Sequence, residues 1–345
     1  MSRTHERTQL VEIKQLQALV TVAEVGSITK AAALLHLVQP AVTRQIRALE
    51  DELGVDLFER TRQGMRATPA GVAMVERARR ALTELERARA ELRPRADHVT
   101  GIVTVGLLES VLDVVAAPFT AAVTRRHPGI ELRLLTAYSG HLQQWLDAGD
   151  VDLSLLYNMR STSSVHARPL LHEAMWAVAP PDAGLRTDEP VDLAALARHP
   201  IVMPVAGHGL RVIIDQACAR ATVSLDVAVE TNSMRLQKQL VIAGYGWTIL
   251  PSAGVADDVA RGILSAAPVS APTMSRLVVL GRQRSGRIPP AVETVAHELV
   301  EVIHSVVASG AWPSAELIEG GPTRDGSVVR EGARIRTPVY DPVDA

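Results

Sequence analysis

Four residues with hydrogen-bonding side chains, Gln39, Thr43, Arg44 and Arg47, fall within one short run, "QPAVTRQIR". Wound into a helix, they share the face opposite the run's aliphatic residues. Gln and Arg can each make two parallel hydrogen bonds to a base edge exposed in a DNA major groove. Pro40 marks the start of this helix, because proline is cheap in a first turn and costs about 3 kcal/mol in a helix interior. The outward residues at this end are small or polar, as a helix tip entering a groove requires. The acidic Glu50, Asp51 and Glu52 gather at the other end.

Other combinations offer less chemistry. His127, His166, His172 and His208 have no spacing of a common metal site, so ordinary core or surface histidines are expected. Ser139 and His141 in "YSGHL" come without an oriented acid or a nucleophile elbow. "GYGWT" has two glycines of a phosphate loop and reads as a turn. Cys218 cannot form an intrachain disulfide alone, and a buried helical thiol is the default. No catalytic residue, metal or cofactor is therefore expected, and the chain reads as a non-enzyme.

The elements that would hold Gln39 and its neighbours are legible around them. "IKQLQALVTVAEVGS" places Ile13, Leu16, Leu19, Val20 and Ala23 at helical spacing. Gly26 suits that helix's C-terminal cap and Ser27 the next N-cap. "ITKAAALLHL" is a short alanine-rich helix carrying Thr29 and Lys30. The third helix opens at Gln39, buries Ala41, Ile46, Leu49 and Leu53, and ends at Gly54. Helix, tight turn, helix is a helix-turn-helix. "DLFERTRQGMRATPAG" then reads as a two-stranded wing, with Arg60, Arg62 and Arg66 able to reach phosphates or a minor groove. Thr68 and Pro69 begin a long helix. Its Met74, Ala78, Ala81, Leu85, Ala88 and Leu92 recur at spacings of 4 and 3, a heptad seam that needs a second helix and so predicts a dimer.

Composition agrees. The chain has 345 residues, 47% of them hydrophobic and only 3% aromatic, so its cores are aliphatic. The net charge of −2 is uneven, with 16 Lys and Arg against 13 Asp and Glu in residues 1–100 and a net negative remainder. No apolar run is long enough for a membrane span, and the first residues lack the apolar core of a signal peptide. A cytoplasmic protein without membrane contact is expected.

From Ile13 to Gly71 the chain resembles the LysR-type transcriptional regulators. "AEVGSITKAAALLHLVQPAVTRQIRALEDELGVDLFERT" followed by "TPAG" matches their winged helix-turn-helix almost position for position. One residue departs: the family often has Ser before the Gln-Pro pair, and this chain has Val38. A looser resemblance continues over about 100–308, carried by "HPGIELRL", "GDVDLSLLYN" and "GYGWTILP". The phrasing near "SGHLQQWLDAGDVDLSLLYN" is similar to the subgroup named for nitrogen-assimilation control. Read directly, strands and helices alternate here in βαβ fashion, which implies parallel sheets in two lobes. The chain should return to the first lobe near 267–308.

The expected fold class is therefore α/β overall. An N-terminal winged helix-turn-helix (11–68, recognition region 28–47) leads to a linker and dimerisation helix (69–93). A two-lobed, periplasmic-binding-protein-like effector domain follows (100–308), and then a polar tail without periodicity (309–345). Strand-end loops nominate Glu109, Ser110, Ser139, His208 and Asn232 for a small-molecule effector, with Ser110, Ser139 and Asn232 equally readable as helix N-caps. The resemblance implies double-stranded DNA, a second copy of the chain in a dimer or tetramer, RNA polymerase and an unidentified co-inducer as partners. The alternative is a solute-binding protein with no regulatory role, which leaves the first ninety residues without a purpose.

Overall fold

The computed structural model describes residues 11–62, 64–91, 99–271, 273–284 and 288–318. Described parts of 1–156, 160–167 and 281–303 form one compact unit, and those of 157–159, 168–280 and 304–345 a second.

The first unit opens with helices α1 (Ile13–Val25), α2 (Ile28–Leu34) and α3 (Gln39–Leu53). Gly26 and Gly54 take the left-handed conformation that ends α1 and α3, and the Ser27 hydroxyl caps α2 by accepting from the Lys30 N–H. Leu16, Leu19 and Val22 of α1 meet Ala31 and Ala32 of α2 and Val42, Ile46 and Leu49 of α3 in one aliphatic core. The small side chains of α2 let the three helices pack closely. Two sequence expectations shift here. Ile13 and Leu53 are exposed, and Val42 rather than Ala41 is the buried residue of α3.

Strands β1 (Phe58–Thr61) and β2 (Gly64–Ala67) pair antiparallel as the wing, with Glu59 opposite Arg66 and Arg60 opposite Met65. Helix α4 (Pro69–Glu91) follows. The "TPAG" run has a clear physical role. Thr68 Oγ1 accepts from the Gly71 N–H at 3.0 Å, capping α4, while donating to the Asp56 carbonyl at 2.8 Å. A Cβ on Gly71 would lie 1.9 Å from the Leu57 carbonyl oxygen. Only glycine lets α4 pass this close to the strand entering the wing.

The rest of this unit is α/β. Strand β3 (Gly101–Leu108), helix α5 (Leu112–Arg126), strand β4 (Ile130–Ala137), helix α6 (Ser139–Ala148) and strand β5 (Leu153–Tyr157) alternate, and β3 pairs parallel with both β4 and β5. The expected βαβ pattern is met. Residues Val103–Leu108 of β3 are wholly buried, as a central parallel strand should be.

The second unit starts with a strand the sequence reading did not anticipate, β6 (Val165–Ala179), whose first residues still belong to the first unit. Then come β7 (Val191–Asp192), α7 (Leu193–Leu196), β8 (Pro200–Pro204), α8 (Gly209–Ala221), β9 (Asp226–Thr231), α9 (Met234–Ile242), β10 (Thr248–Pro251), α10 (Ala256–Ala260) and β11 (Ser265–Ala271). β8 and β9 pair in parallel, while β10 and β11 pair antiparallel with β6. Strand β12 (Ser275–Gln283) and helix α11 (Pro290–Ala308) contribute to both units, the return to the first falling at 281–303.

The expected tail begins too early. Trp312 is almost fully buried, and β13 (Ala315–Leu317) pairs antiparallel with Leu171–Glu173 of β6. Packed chain thus runs on to 318, because one tryptophan supplies more apolar area than the polar residues around it forfeit. Residues 319–345 lie outside the described residues.

Replacing Gly71 by Ala should lower stability by about 3 kcal/mol, since the added methyl meets backbone that cannot turn away. Thermal melts that matched the parent within 0.5 °C would contradict this contact.

Candidate nucleic-acid interface

Helix α3 starts without a side-chain cap, since Val38 has no acceptor to offer, and Pro40 sits in its first turn. Val42, Ile46 and Leu49 anchor it inward, leaving Gln39, Pro40, Arg44 and Arg47 exposed and Thr43 half-buried. Thr43 donates its hydroxyl proton to the Gln39 carbonyl at 3.1 Å. Thr29 and Lys30 are exposed on α2, whereas Ser27 is already used as a cap.

Glu50 is not simply part of a distant acidic cluster. Its carboxylate accepts from the N–H groups of Leu57 and Phe58 at 2.8 and 3.2 Å, tying α3 to the first wing strand. On the wing, Arg60 and Arg62 are exposed, but Arg66 is paired with Glu59 across the strands. Arg66 must exchange that partner to meet a phosphate, so Arg60 and Arg62 are the better-placed cations.

On α4 the expected seam divides. Ala78 is 1% exposed and belongs to the winged domain's own core, together with Val75 and, at its margin, Met74 and Leu82. Ala78 is therefore no seam residue. Ala81, Leu85 and Ala88 are exposed, with Leu85 at 38%. Leu92 lies outside the described residues.

The effector candidates separate by unit. In the first, Ser110 is buried within a single 3-10 turn, Glu109–Val111, and Glu109 is half-buried. Neither Ser110 nor Ser139 caps a helix: Val111 precedes α5, and Tyr138 occupies the cap of α6. In the second, Ser233 caps α9, so Asn232 is simply exposed. His208 does cap α8, its Nδ1 accepting from the Leu210 N–H at 3.2 Å.

Around His208 lies a cluster that the sequence reading missed. The Arg276 guanidinium on β12 is paired with the Glu173 carboxylate on β6 at 2.7 Å, with almost no solvent access to either side chain. The other Glu173 oxygen accepts from the Ser252 hydroxyl at 3.2 Å and the Ala253 N–H at 2.9 Å. Arg276 also lies 5.2 Å over the Tyr157 ring, a cation–π contact. Burial pushes the Tyr157 phenol up, against the charge of Arg276 and the Leu210 N–H. Burial and then the same charge push the His208 imidazole down, so it is held neutral. Gly209 completes the packing, since a Cβ there would lie 2.6 Å from the Tyr157 oxygen.

The remaining histidines have ordinary explanations. His127 and Arg126 both contact the buried Glu298 carboxylate, at 3.0 and 2.7 Å. Burial alone would raise that carboxyl, but the His127 hydrogen bond and the Arg126 charge hold it below its usual range. Burial, then Arg282 and Arg284, lowers His166. Cys218 is a half-buried thiol on α8, kept protonated by burial and by Asp215.

A winged helix-turn-helix whose third helix has an exposed polar face, joined to α/β segments of ligand-binding type, defines a DNA-binding transcriptional regulator. The model for the bacterial regulatory helix-turn-helix proteins of the lysR family matches residues 13–72, and that for the LysR substrate binding domain matches residues 96–303. The chain belongs to the LysR family and is a LysR-type transcriptional regulator. It is 30% identical over 300 residues to the HTH-type transcriptional regulator BbuR of Bordetella bronchiseptica, covering 87% of this chain and 92% of that one. It is 26% identical over 313 residues to the nitrogen assimilation regulatory protein nac of Klebsiella aerogenes, covering 89% and 99%. In fold it matches full-length CbnR complexed with its target DNA, with a TM-score of 0.66 at 22% identity over 86% of this chain and 99% of that one. Among the described residues no helix is long and apolar enough to cross a membrane.

Truncating Glu173 to Ala should destabilise the second unit by about 3–5 kcal/mol, because it strands the Arg276 charge in an apolar interior. Replacing Glu173 and Arg276 together by Met should recover only part of that loss, because the Ala253 N–H then lacks its carboxylate acceptor. A double variant no more stable than Glu173→Ala in chemical denaturation would disprove this account.

Proposed function

We propose that α3 reads the target sequence with Gln39, Thr43, Arg44 and Arg47, while Arg60 and Arg62 of the wing hold the DNA backbone. Ser27, Thr29 and Lys30 at the start of α2 lie in the same proposed interface. The observation that supports this most directly is the exposed tip of α3, polar and basic on the face opposite Val42, Ile46 and Leu49. We further infer a dimer through Ala81, Leu85 and Ala88 of α4, which would set two recognition helices in successive major grooves. A small-molecule effector would bind in the 100–308 region. Glu109, Ser110, Ser139, His208 and Asn232 remain its candidate contacts, with the neutral His208 the best-founded of them. Differential binding to two states would then change the dimer's geometry and the bend of the DNA. RNA polymerase and a cytoplasmic setting belong to the same reading, in which the chain carries out no chemical step. The likeness in fold to CbnR, whose structure includes its target DNA, supports the DNA-binding part of the reading.

Two experiments test it. Gln39→Ala should cost about 1–3 kcal/mol on a selected site and little on random DNA. Arg62→Ala should weaken binding to every sequence and reduce the salt slope by about one. Equal losses for both variants on both DNAs, in titrations across salt, would reject this division of roles.

Leu85→Glu should yield a monomer, since an unpaired charge in an apolar seam costs several kcal/mol. Light scattering that still gave the parent's mass would remove Leu85 from the interface.

A further inference from the structure

The residue just ahead of the recognition helix is unusual in two ways. Val38 is 69% exposed, the most of any large hydrophobic residue among those described. It also holds an N-cap position, where a residue with a side-chain acceptor would bond a free N–H of the first turn, as Ser27 does for α2. The first-turn Ala41 N–H bonds the Val38 carbonyl instead of a side chain, and the branched apolar side chain stays in water. Nothing in the core is served by it, because α3 is anchored by Val42, Ile46 and Leu49. Its chain neighbours Leu37, Gln39 and Pro40 are all exposed, and one turn further lies Thr43. Val38 is therefore continuous with the face assigned above to base reading, at the leading tip of the helix. The one apolar group that the major groove displays on its base edges is the 5-methyl of thymine.

We propose that Val38 is a specificity-determining residue, covering the 5-methyl group of a thymine in each half-site beside the base contacted by Gln39. The proposal rests on the reading of α3 as the recognition helix. Valine suits the task because its two methyls are fixed by branching and lose little freedom on contact. Serine in its place would offer a hydroxyl to a phosphate or to its own helix and no apolar cover. The sequence preference of this protein should accordingly include a thymine that its Val38→Ser variant reads less strictly.

The test uses full-length protein and duplexes that it selects from a random pool. Each thymine of a selected site is replaced in turn by uracil, which removes only the methyl. At one thymine per half-site, the parent should bind about fourfold more weakly, which corresponds to the ~0.8 kcal/mol of one buried methyl. Val38→Ser should bind thymine and uracil duplexes equally at that position and keep its other base preferences. Val38→Ala, which leaves the helix tip without a new cap, should show a reduced penalty. Selected duplexes that tolerate uracil at every position would overturn the proposal while leaving α3 as the reader. A fourfold penalty persisting unchanged in Val38→Ser would overturn it in favour of Pro40. A fall in mass of Val38→Ser by light scattering, with no uracil effect in the parent, would overturn it in favour of a protein partner on Val38. Failure to enrich any duplex would overturn the reading of α3 and this inference with it.

Discussion

The geometry of the winged domain depends on one crowded backbone segment, Asp56 to Phe58. The Leu57 carbonyl accepts the Thr68 N–H and lies against Gly71, so close that α4 admits no side chain there. The Leu57 and Phe58 N–H groups are taken by Glu50 of α3, and the Asp56 carbonyl by the Thr68 hydroxyl. Three residues thus fix α3, the wing and α4 to one another by direct polar bonds. No metal or disulfide is needed for it. The cost falls on sequence freedom, because glycine and a short hydroxyl are each required at one position.

Much of this was legible beforehand, for identifiable reasons. Helix ends in the first ninety residues carry strong local signals: Gly26, Ser27, Pro40, Gly54 and the Thr68-Pro69 pair all sit where the caps require them. Side-chain roles were harder to read. Glu50 looked like surface charge, since its partners are backbone N–H groups seven and eight residues away. Arg66 looked like a free cation because its pairing with Glu59 follows from strand register, which composition does not reveal. Ala78 fits a heptad seam and a domain core equally well by spacing, and the packing of α4 on α1 decided for the core.

The second unit shows the same limit more sharply. β6 was missed because it is long, contains Pro169, and pairs with strands far along the chain instead of following the βαβ rhythm around it. Its Glu173 meets Arg276 from more than a hundred residues away, so neither residue stood out. Such a pair contributes little net stability compared with apolar residues of the same size, but breaking it is costly. It does fix the register of two strands that each contribute residues to both units. The effector loops suffered from the opposite ambiguity. In sequence Ser110, Ser139 and Asn232 fit caps and ligand groups equally, and the N-cap positions fall at Val111, Tyr138 and Ser233 instead.

Trp312, buried beside β13, is one of only four tryptophans, the others being Trp145, Trp176 and Trp247. All four follow residue 100, and three lie in the second unit. Intrinsic fluorescence therefore comes wholly from the C-terminal two thirds of the chain. The winged domain is optically silent at tryptophan wavelengths, and its melting or its grip on DNA leaves the emission untouched unless the change is transmitted. Any emission change that follows the addition of DNA alone would report communication along the chain, in unlabelled protein.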